Sequence, residues 1–192
     1  MSIHGIGVSP GAAAGPAVVV STVRIAPPGE RVEDPAMAEA SVSSALEAVA
    51  QDMDARAAKA SDTAKPVLEA TASMARDPGL LQAAAMQIAE GHGPVDALYH
   101  AVEQYCEMLA SLGGYMAERQ QDLRDVFQRA GARLMGLPAP GVPPLAMPSV
   151  LVALDLAPAD TATLDPELVL GIVTEGGGVT SHTAILAAQL GI

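Results

Sequence analysis

The sequence predicts an α/β domain interrupted by an inserted antiparallel helical bundle. Three observations predict it. Short apolar, β-branched segments bounded by Gly and Pro lie near both ends of the chain. Between them run three amphipathic stripes of helical period, separated by Gly- and Pro-rich breaks. Half of the 192 residues are hydrophobic yet only 2% are aromatic, with one Phe and no Trp. Ala, Val, Leu and Met must therefore fill the core, which suits close helix packing better than an aromatic-rich sandwich.

In chain order, residues 3–23 read as two strands around a turn: 3–8, the punctuation Ser9-Pro10-Gly11, then 17–20 with Thr22 and Val23. Pro27-Pro28-Gly29 marks a boundary. From about Pro35 to Gly136 the pattern is helical. Val42, Leu46, Val49 and Met53 form one core-facing stripe; Val95, Leu98, Val102, Tyr105, Leu109 and Leu112 form a second; Leu123, Val126, Phe127, Ala130 and Leu134 form a third. Breaks at Asp77-Pro78-Gly79, Gly91-His92-Gly93-Pro94 and Gly113-Gly114 give four or five helices on short loops, hence an antiparallel bundle. The five prolines at 138, 140, 143, 144 and 148 read as an extended linker. Strand character returns at 150–154, a short helix starts near Pro158-Ala159-Asp160, and 168–173 reads as a buried strand. The domains expected are 1–29 with 138–192 for the α/β part, and 30–137 for the helical part.

The net charge is −12. Residues 30–136 hold 17 acidic and 9 basic residues (17 − 9 = 8 net negative charges), and residues 137–192 hold five acids and no base. Such a surface repels phosphate backbones, so nucleic acid is excluded as a partner, while a basic protein partner would be attracted. The single cysteine, Cys106, excludes an intrachain disulfide and reads as a packed helical thiol. His4, His92 and His100 read as structural or solvated. No positively charged leader precedes the apolar start, and no run approaches the ~20 apolar residues of a membrane span. A cytoplasmic chain without membrane insertion is the expectation.

The most informative segment is Gly176-Gly177-Gly178-Val179-Thr180-Ser181-His182-Thr183-Ala184-Ile185-Leu186. A strand, then glycines, then a helix start bring free backbone N–H groups and the positive end of the helix dipole together. A histidine there can carry a phosphoryl group on a ring nitrogen, with the added negative charge already solvated. Thr180 or Ser181 can cap the helix, and either hydroxyl can bond a phosphoryl oxygen. The bland alternative stays open at this point, because Ile185, Leu186 and Leu190 place His182 on the apolar face of its helix. A nucleotide P-loop is excluded, since no Lys or Arg follows Arg133; a zinc site lacks further His or Cys at ligand spacing; and adjacent Ser181 and His182 cannot act as a hydrolase dyad.

The segment from Gly176 to Leu186 closely resembles the phosphohistidine signature of Enzyme I, the phosphoenolpyruvate–protein phosphotransferase of the bacterial sugar phosphotransferase system. Three further stretches resemble the same family: Gly5-Ile6-Gly7-Val8-Ser9-Pro10-Gly11-Ala12-Ala13-Ala14-Gly15; Tyr115-Met116-Ala117-Glu118-Arg119 through Asp122-Leu123-Arg124-Asp125-Val126; and Val152-Ala153-Leu154-Asp155-Leu156-Ala157-Pro158-Ala159-Asp160-Thr161-Ala162. The resemblance implies a swivelling β/β/α phosphohistidine domain interrupted by a helical domain that binds HPr, the small phosphocarrier. It implies that His182 takes the phosphoryl group on Nε2 from phosphoenolpyruvate and passes it to a histidine of HPr in sugar uptake. Thr161 matches the threonine whose hydroxyl steadies that histidine, and Gly177, Gly178, Thr180 and Ser181 form the phosphoryl cradle. Arg119 matches a basic residue at the HPr-facing surface, with Met74 and Leu80 near the expected apolar contacts. No cofactor or metal is expected in this chain; Mg²⁺ and phosphoenolpyruvate are expected in the C-terminal barrel of the full-length family enzyme. Two positions depart from the family: Ala187-Ala188 stands where it usually has Ala-Arg, and Thr71 where it commonly has His. The chain ends at Ile192, where the family continues. The rival readings are the swivelling domain of a pyruvate phosphate dikinase or phosphoenolpyruvate synthase relative, the phosphotransfer subunit of dihydroxyacetone kinase, and a non-catalytic helical docking module.

Overall fold

A computed structural model describes residues 5–20, 24–58, 60, 62, 64–178 and 181–192, and only the backbone of residues 115, 118 and 182. It divides the chain into two compact units, Val23–Pro140 and Met1–Thr22 with Gly141–Ile192.

The first unit is helical: α1 (Pro35–Ala57), α2 (Lys65–Ala75), α3 (Pro78–Ala89), α4 (Pro94–Leu112) and α5 (Gly114–Leu134). Proline opens α1, α3 and α4, where its missing N–H costs no helical bond. Asp34 caps α1 by accepting from the Met37 N–H, and Asp77 Oδ1 caps α3 by accepting from Gly79 (2.8 Å) and Leu80 (3.1 Å). α1 packs on α2, α3 on α4 and α4 on α5, and α1 touches all four others, so it forms the spine of the unit. Its stripe of Val42, Leu46, Val49 and Met53 is buried throughout, flanked by Ala45, Ala50 and Ala57, whose small side chains let neighbouring helices approach. The break between α1 and α2, at residues 58–64, is the one the glycine pattern does not mark. Pro66 was its signal, because a proline cannot bond back to the preceding turn and restarts the helix instead.

The α4 stripe differs from expectation near its end. Cys106 takes the core position in place of Tyr105, and Leu112 is 63% exposed, so the last turn of α4 runs past the packed core. The thiol is therefore packed, lies 3.7 Å from the Gln120 carbonyl, and is pushed up in pKa by burial.

The helical unit also starts earlier and ends later than residues 30 and 137. Ile25 is the reason at the first boundary. It is buried, its N–H donates to Gln128 Oε1 (2.6 Å), and its carbonyl accepts from Gln128 Nε2 (3.1 Å). Gly131 makes room for it: a Cβ there would stand 2.8 Å from Ile25 Cγ2. Further along, the Asp96 carboxylate accepts from the N–H groups of Gly29 (2.9 Å) and Glu30 (3.3 Å). At the other end, Arg129 donates to the Pro140 carbonyl at 3.3 Å.

The second unit holds β1 (Ala17–Val19), β2 (Ser149–Ala153), α6 (Pro158–Thr161), β3 (Val169–Thr174) and α7 (His182–Leu190). The strands form a three-stranded parallel sheet in the order β1-β2-β3, with Ala17 opposite Val150 and Ala153 opposite Thr174. Parallel neighbours need long crossovers, and here the connection from β1 to β2 runs through the entire helical unit while α6 lies between β2 and β3. Central β2 alternates buried Ser149, Leu151 and Ala153 with half-buried Val150 and Val152. Leu151, Ala153, Leu156, Leu164, Val169 and Val20 form the core, and Val142 and Leu145 from the proline-rich linker pack against it.

The strand expected at residues 3–8 is absent over 5–8; residues 3 and 4 lie outside the described residues, as do Thr22 and Val23. Gly5 and Gly7 leave nothing to pack on one face, and Ile6 on the other is 85% exposed.

Candidate functional site

The site is built where β3 turns into α7. Just past β3, the Glu175 N–H donates to the Ala153 carbonyl (3.1 Å) and the Gly176 N–H to the Leu154 carbonyl (2.7 Å). The turn thus leaves the sheet still fastened to the end of β2. Gly177 follows at φ +85°, a left-handed conformation that favours glycine, and the Ser181 N–H closes back on the Gly178 carbonyl at 2.9 Å. Ser181 is extended and is the N-cap of α7: its Oγ accepts from the Ala184 N–H (3.2 Å) and its carbonyl from the Ile185 N–H (3.0 Å). Of the two hydroxyls expected to cap, Ser181 does so; Thr180 lies outside the described residues. His182 is the first residue of α7, at the positive end of the helix dipole, and its side chain lies outside the described residues.

Two buried threonines lie near this helix start, one on α6 and one on α7 itself. Thr161 ends α6, which packs against α7; it is fully buried and its hydroxyl donates to the Ala157 carbonyl at 3.2 Å. That bond uses its proton and leaves oxygen lone pairs able to accept from an imidazole N–H. Thr183, next to His182, is also buried, and its hydroxyl lies 3.2 Å from both Asp155 Oδ1 and the Leu156 carbonyl. The Thr183–Asp155 link was missed at the level of sequence. No local signal announces it, because its partners lie 27 and 28 residues earlier in the chain.

The electrostatics are one-sided. Residues 1–22 and 141–192, which make up this unit, hold no Lys or Arg and five acids: Asp155, Asp160, Asp165, Glu167 and Glu175. The unit therefore has no side-chain ammonium or guanidinium of its own to offer an anion. Among the described residues no group of three or more His, Cys, Asp or Glu side chains is placed to hold a metal ion. Among them, too, no helix is long and apolar enough to cross a membrane.

The residues expected at a carrier-facing surface lie on three helices of the other unit. Met74, on α2, is half-buried. Leu80 is wholly buried, which corrects its expected place at the surface: with Asp77 capping α3, position 80 is the first to face the core. Arg119, on α5, is partly exposed and pairs with Asp122 at 3.3 Å, a partner that the i,i+3 spacing could have disclosed.

The sequence matches two family descriptions in tandem. PEP-utilising enzyme, N-terminal, covers residues 4–119, and PEP-utilising enzyme, mobile domain, covers residues 145–192. The chain belongs to the PEP-utilising enzyme family. The mobile-domain match takes in β2, α6, β3 and α7, so the glycine turn and His182 fall inside it. Within this family, the phosphoenolpyruvate-protein phosphotransferase of Streptomyces coelicolor is 48% identical over 193 residues, covering 100% of this chain and 35% of the relative. A multiphosphoryl transfer protein of Xanthomonas campestris is 41% identical over 155 residues, covering 76% of this chain and 17% of the relative. The chain thus corresponds to about a third of the length of the Streptomyces protein. Among solved structures, an NMR structure of Enzyme I matches with a TM-score of 0.83 at 33% identity, covering 96% of this chain and 78% of that one. The N-terminal domain of Enzyme 1 - Nitrogen shares the fold, with a TM-score of 0.67 at 24% identity. The α/β fold with an inserted helical unit is therefore that of the Enzyme I N-terminal region.

Proposed function

We propose that this chain is the phosphoryl-carrying part of a phosphoenolpyruvate–protein phosphotransferase. His182 accepts the phosphoryl group on Nε2 and relays it to a histidine of the carrier HPr, in the cytoplasm, in the service of sugar uptake. The observation that carries this reading is the placement of His182. It opens α7 directly after a capped, glycine-built turn, in a fold that matches Enzyme I over 96% of the chain.

In the forward direction the Nε2 lone pair attacks phosphorus, an N–P bond forms, and the P–O bond of phosphoenolpyruvate breaks to leave enolpyruvate. In the second step the carrier's ring nitrogen takes the same phosphorus and the N–P bond to His182 breaks. No net redox change accompanies either step. Accepting at Nε2 requires the proton of the neutral ring to sit on Nδ1, and a lone pair of the Thr161 hydroxyl can accept that N–H and fix the tautomer. The charge balance asks for cations on the partners: on the carrier in one step, and on the phosphoenolpyruvate-binding C-terminal domain of the full-length protein, with its Mg²⁺, in the other. The helical unit, with 17 acidic and 10 basic residues over 23–140, suits a basic carrier, and Met74 and Arg119 belong to its docking face.

Phosphorylated HPr, mixed with this chain, tests the reading by reverse transfer. Acid-labile, base-stable label on the wild type and none on His182→Ala is expected. Label of equal strength on His182→Ala would remove His182 from the reaction.

A further inference from the structure

Thr183 is the residue of α7 whose side chain does something a helix does not ask for. An unbranched or small residue would serve an α-helix better at its second position, and a buried hydroxyl must find a partner. Thr183 is 6% exposed, and its partners come from 27 and 28 positions earlier in the chain: the Leu156 carbonyl and Asp155 Oδ1, each at 3.2 Å. Asp155 does not reach this position by chance orientation, because the same Oδ1 accepts from the Leu156 N–H at 2.8 Å. Carboxylate, peptide unit and hydroxyl thus form a small ring between the exit of β2 and the first turn of α7, in which the one hydroxyl proton is shared between Asp155 Oδ1 and the Leu156 carbonyl.

The ring lies one residue from His182, and the backbone that carries it continues through Ala157, which accepts from the Thr161 hydroxyl, into α6. The exit of β2 therefore holds both the residue beside the phosphoryl acceptor and the residue assigned to steady its ring. Ser181 caps α7 and fixes where the helix starts, but a cap leaves the helix free to rotate about its own axis. Leu190 and Ile192 pack on the core at the far end of α7, and at its first turn Thr183 adds an anchor off the axis that sets the direction in which the Cα–Cβ bond of residue 182 points.

The geometry points to Thr183, held by Asp155 and the Leu156 carbonyl, as a positioning residue for phosphoryl transfer at His182. This rests on the phosphoryl-acceptor reading. Thr183 touches neither the phosphoryl group nor the carrier; it acts by holding His182 in the line of attack. Misalignment of a reacting group by about 1 Å can cost up to about a hundredfold in rate.

The test is single-turnover transfer from phosphorylated HPr to this chain, with the carrier concentration varied. Thr183→Val keeps the shape and removes the hydroxyl. It is expected to lower the limiting rate about tenfold or more while the half-saturating carrier concentration stays within about twofold, since docking uses the other unit. Thr183→Ser restores the hydroxyl and should recover the rate to within about threefold of wild type. Asp155→Ala should lower the rate in the same sense, and adding it to Thr183→Val should cost less than the two separate effects combined. A Thr183→Val chain that transfers at the wild-type limiting rate overturns the inference, as does one slowed to the same degree as Thr183→Ser. Failure of the wild type itself to accept phosphate would instead overturn the phosphoryl-acceptor reading, and this inference with it.

Discussion

Gly177→Ala probes how the glycine turn and the helix cap depend on one another. The residue sits at φ +85°, where an L side chain costs roughly 1–2 kcal/mol. Its new Cβ would stand 3.2 Å from both Cβ and Oγ of Ser181, closer than ordinary van der Waals contact. The atom it crowds is the one that caps α7, and losing such a cap costs about 0.5–2 kcal/mol. The two contributions together weaken the folded turn by about 1.5–4 kcal/mol, which at 1.36 kcal/mol per decade is a factor of roughly ten to several hundred in local opening. Amide hydrogen exchange at Ile185, whose N–H bonds the Ser181 carbonyl, reads this directly. Gly178→Ala is the control: nothing lies within 4 Å of a Cβ there and its φ is not in the left-handed range, so exchange at Ile185 should stay near wild type. Equal acceleration in both variants, or none in either, would refute the claim that Gly177 and the Ser181 cap form one device.

Two further predictions concern the helical unit. Asp96→Ala removes a buried carboxylate that holds the Gly29 and Glu30 N–H groups, both of which water can reach once released; a loss of about 2–3 kcal/mol is expected in urea unfolding at unchanged m, and Asp96→Asn, which keeps one acceptor, should lose about half of that. The Glu47 carboxyl is held below its ordinary 4.5 first by the hydrogen bonds from Arg76 (3.0 Å to each oxygen) and then by Gln51. A carboxyl so lowered adds stability above its unfolded pKa and loses it as pH falls through the folded value. Arg76→Met should therefore move the NMR titration of Glu47 upward and flatten the fall in stability below about pH 4.5; an unmoved Glu47 midpoint would contradict the pairing.

Most of the helical unit was legible because its signals are local. Asp77-Pro78 and Gly93-Pro94 start helices at those residues, and the stripe from Val42 to Met53 is the buried face of α1. The same locality explains the misses. Nothing near Ile25 in sequence announces that Gln128 and Gly131 will receive it 103 and 106 residues later, so the boundary was placed too late. Leu80 fits a surface contact when set against a family pattern and fits the core once the Asp77 cap fixes the phase of α3. Gly5 to Val8 has the apolar alternation of a strand, but a strand exists only if a partner pairs with it, and no such pairing forms over these described residues. At the site, the turn, the cap and the helix start could be read from Gly177, Ser181 and His182, because each follows from backbone chemistry. The Thr183–Asp155 anchor could not, since it depends on how β2 and α7 come together in space.

The most direct test of the account is to locate the phosphoryl group itself. The chain would be phosphorylated from phosphorylated HPr under alkaline conditions and examined by ³¹P and ¹⁵N-imidazole NMR together with peptide mapping. The account predicts a single phosphoramidate on Nε2 of His182, in the peptide that begins the last helix. A phosphoryl group on His4, His92 or His100, or on Nδ1 of His182, would contradict it.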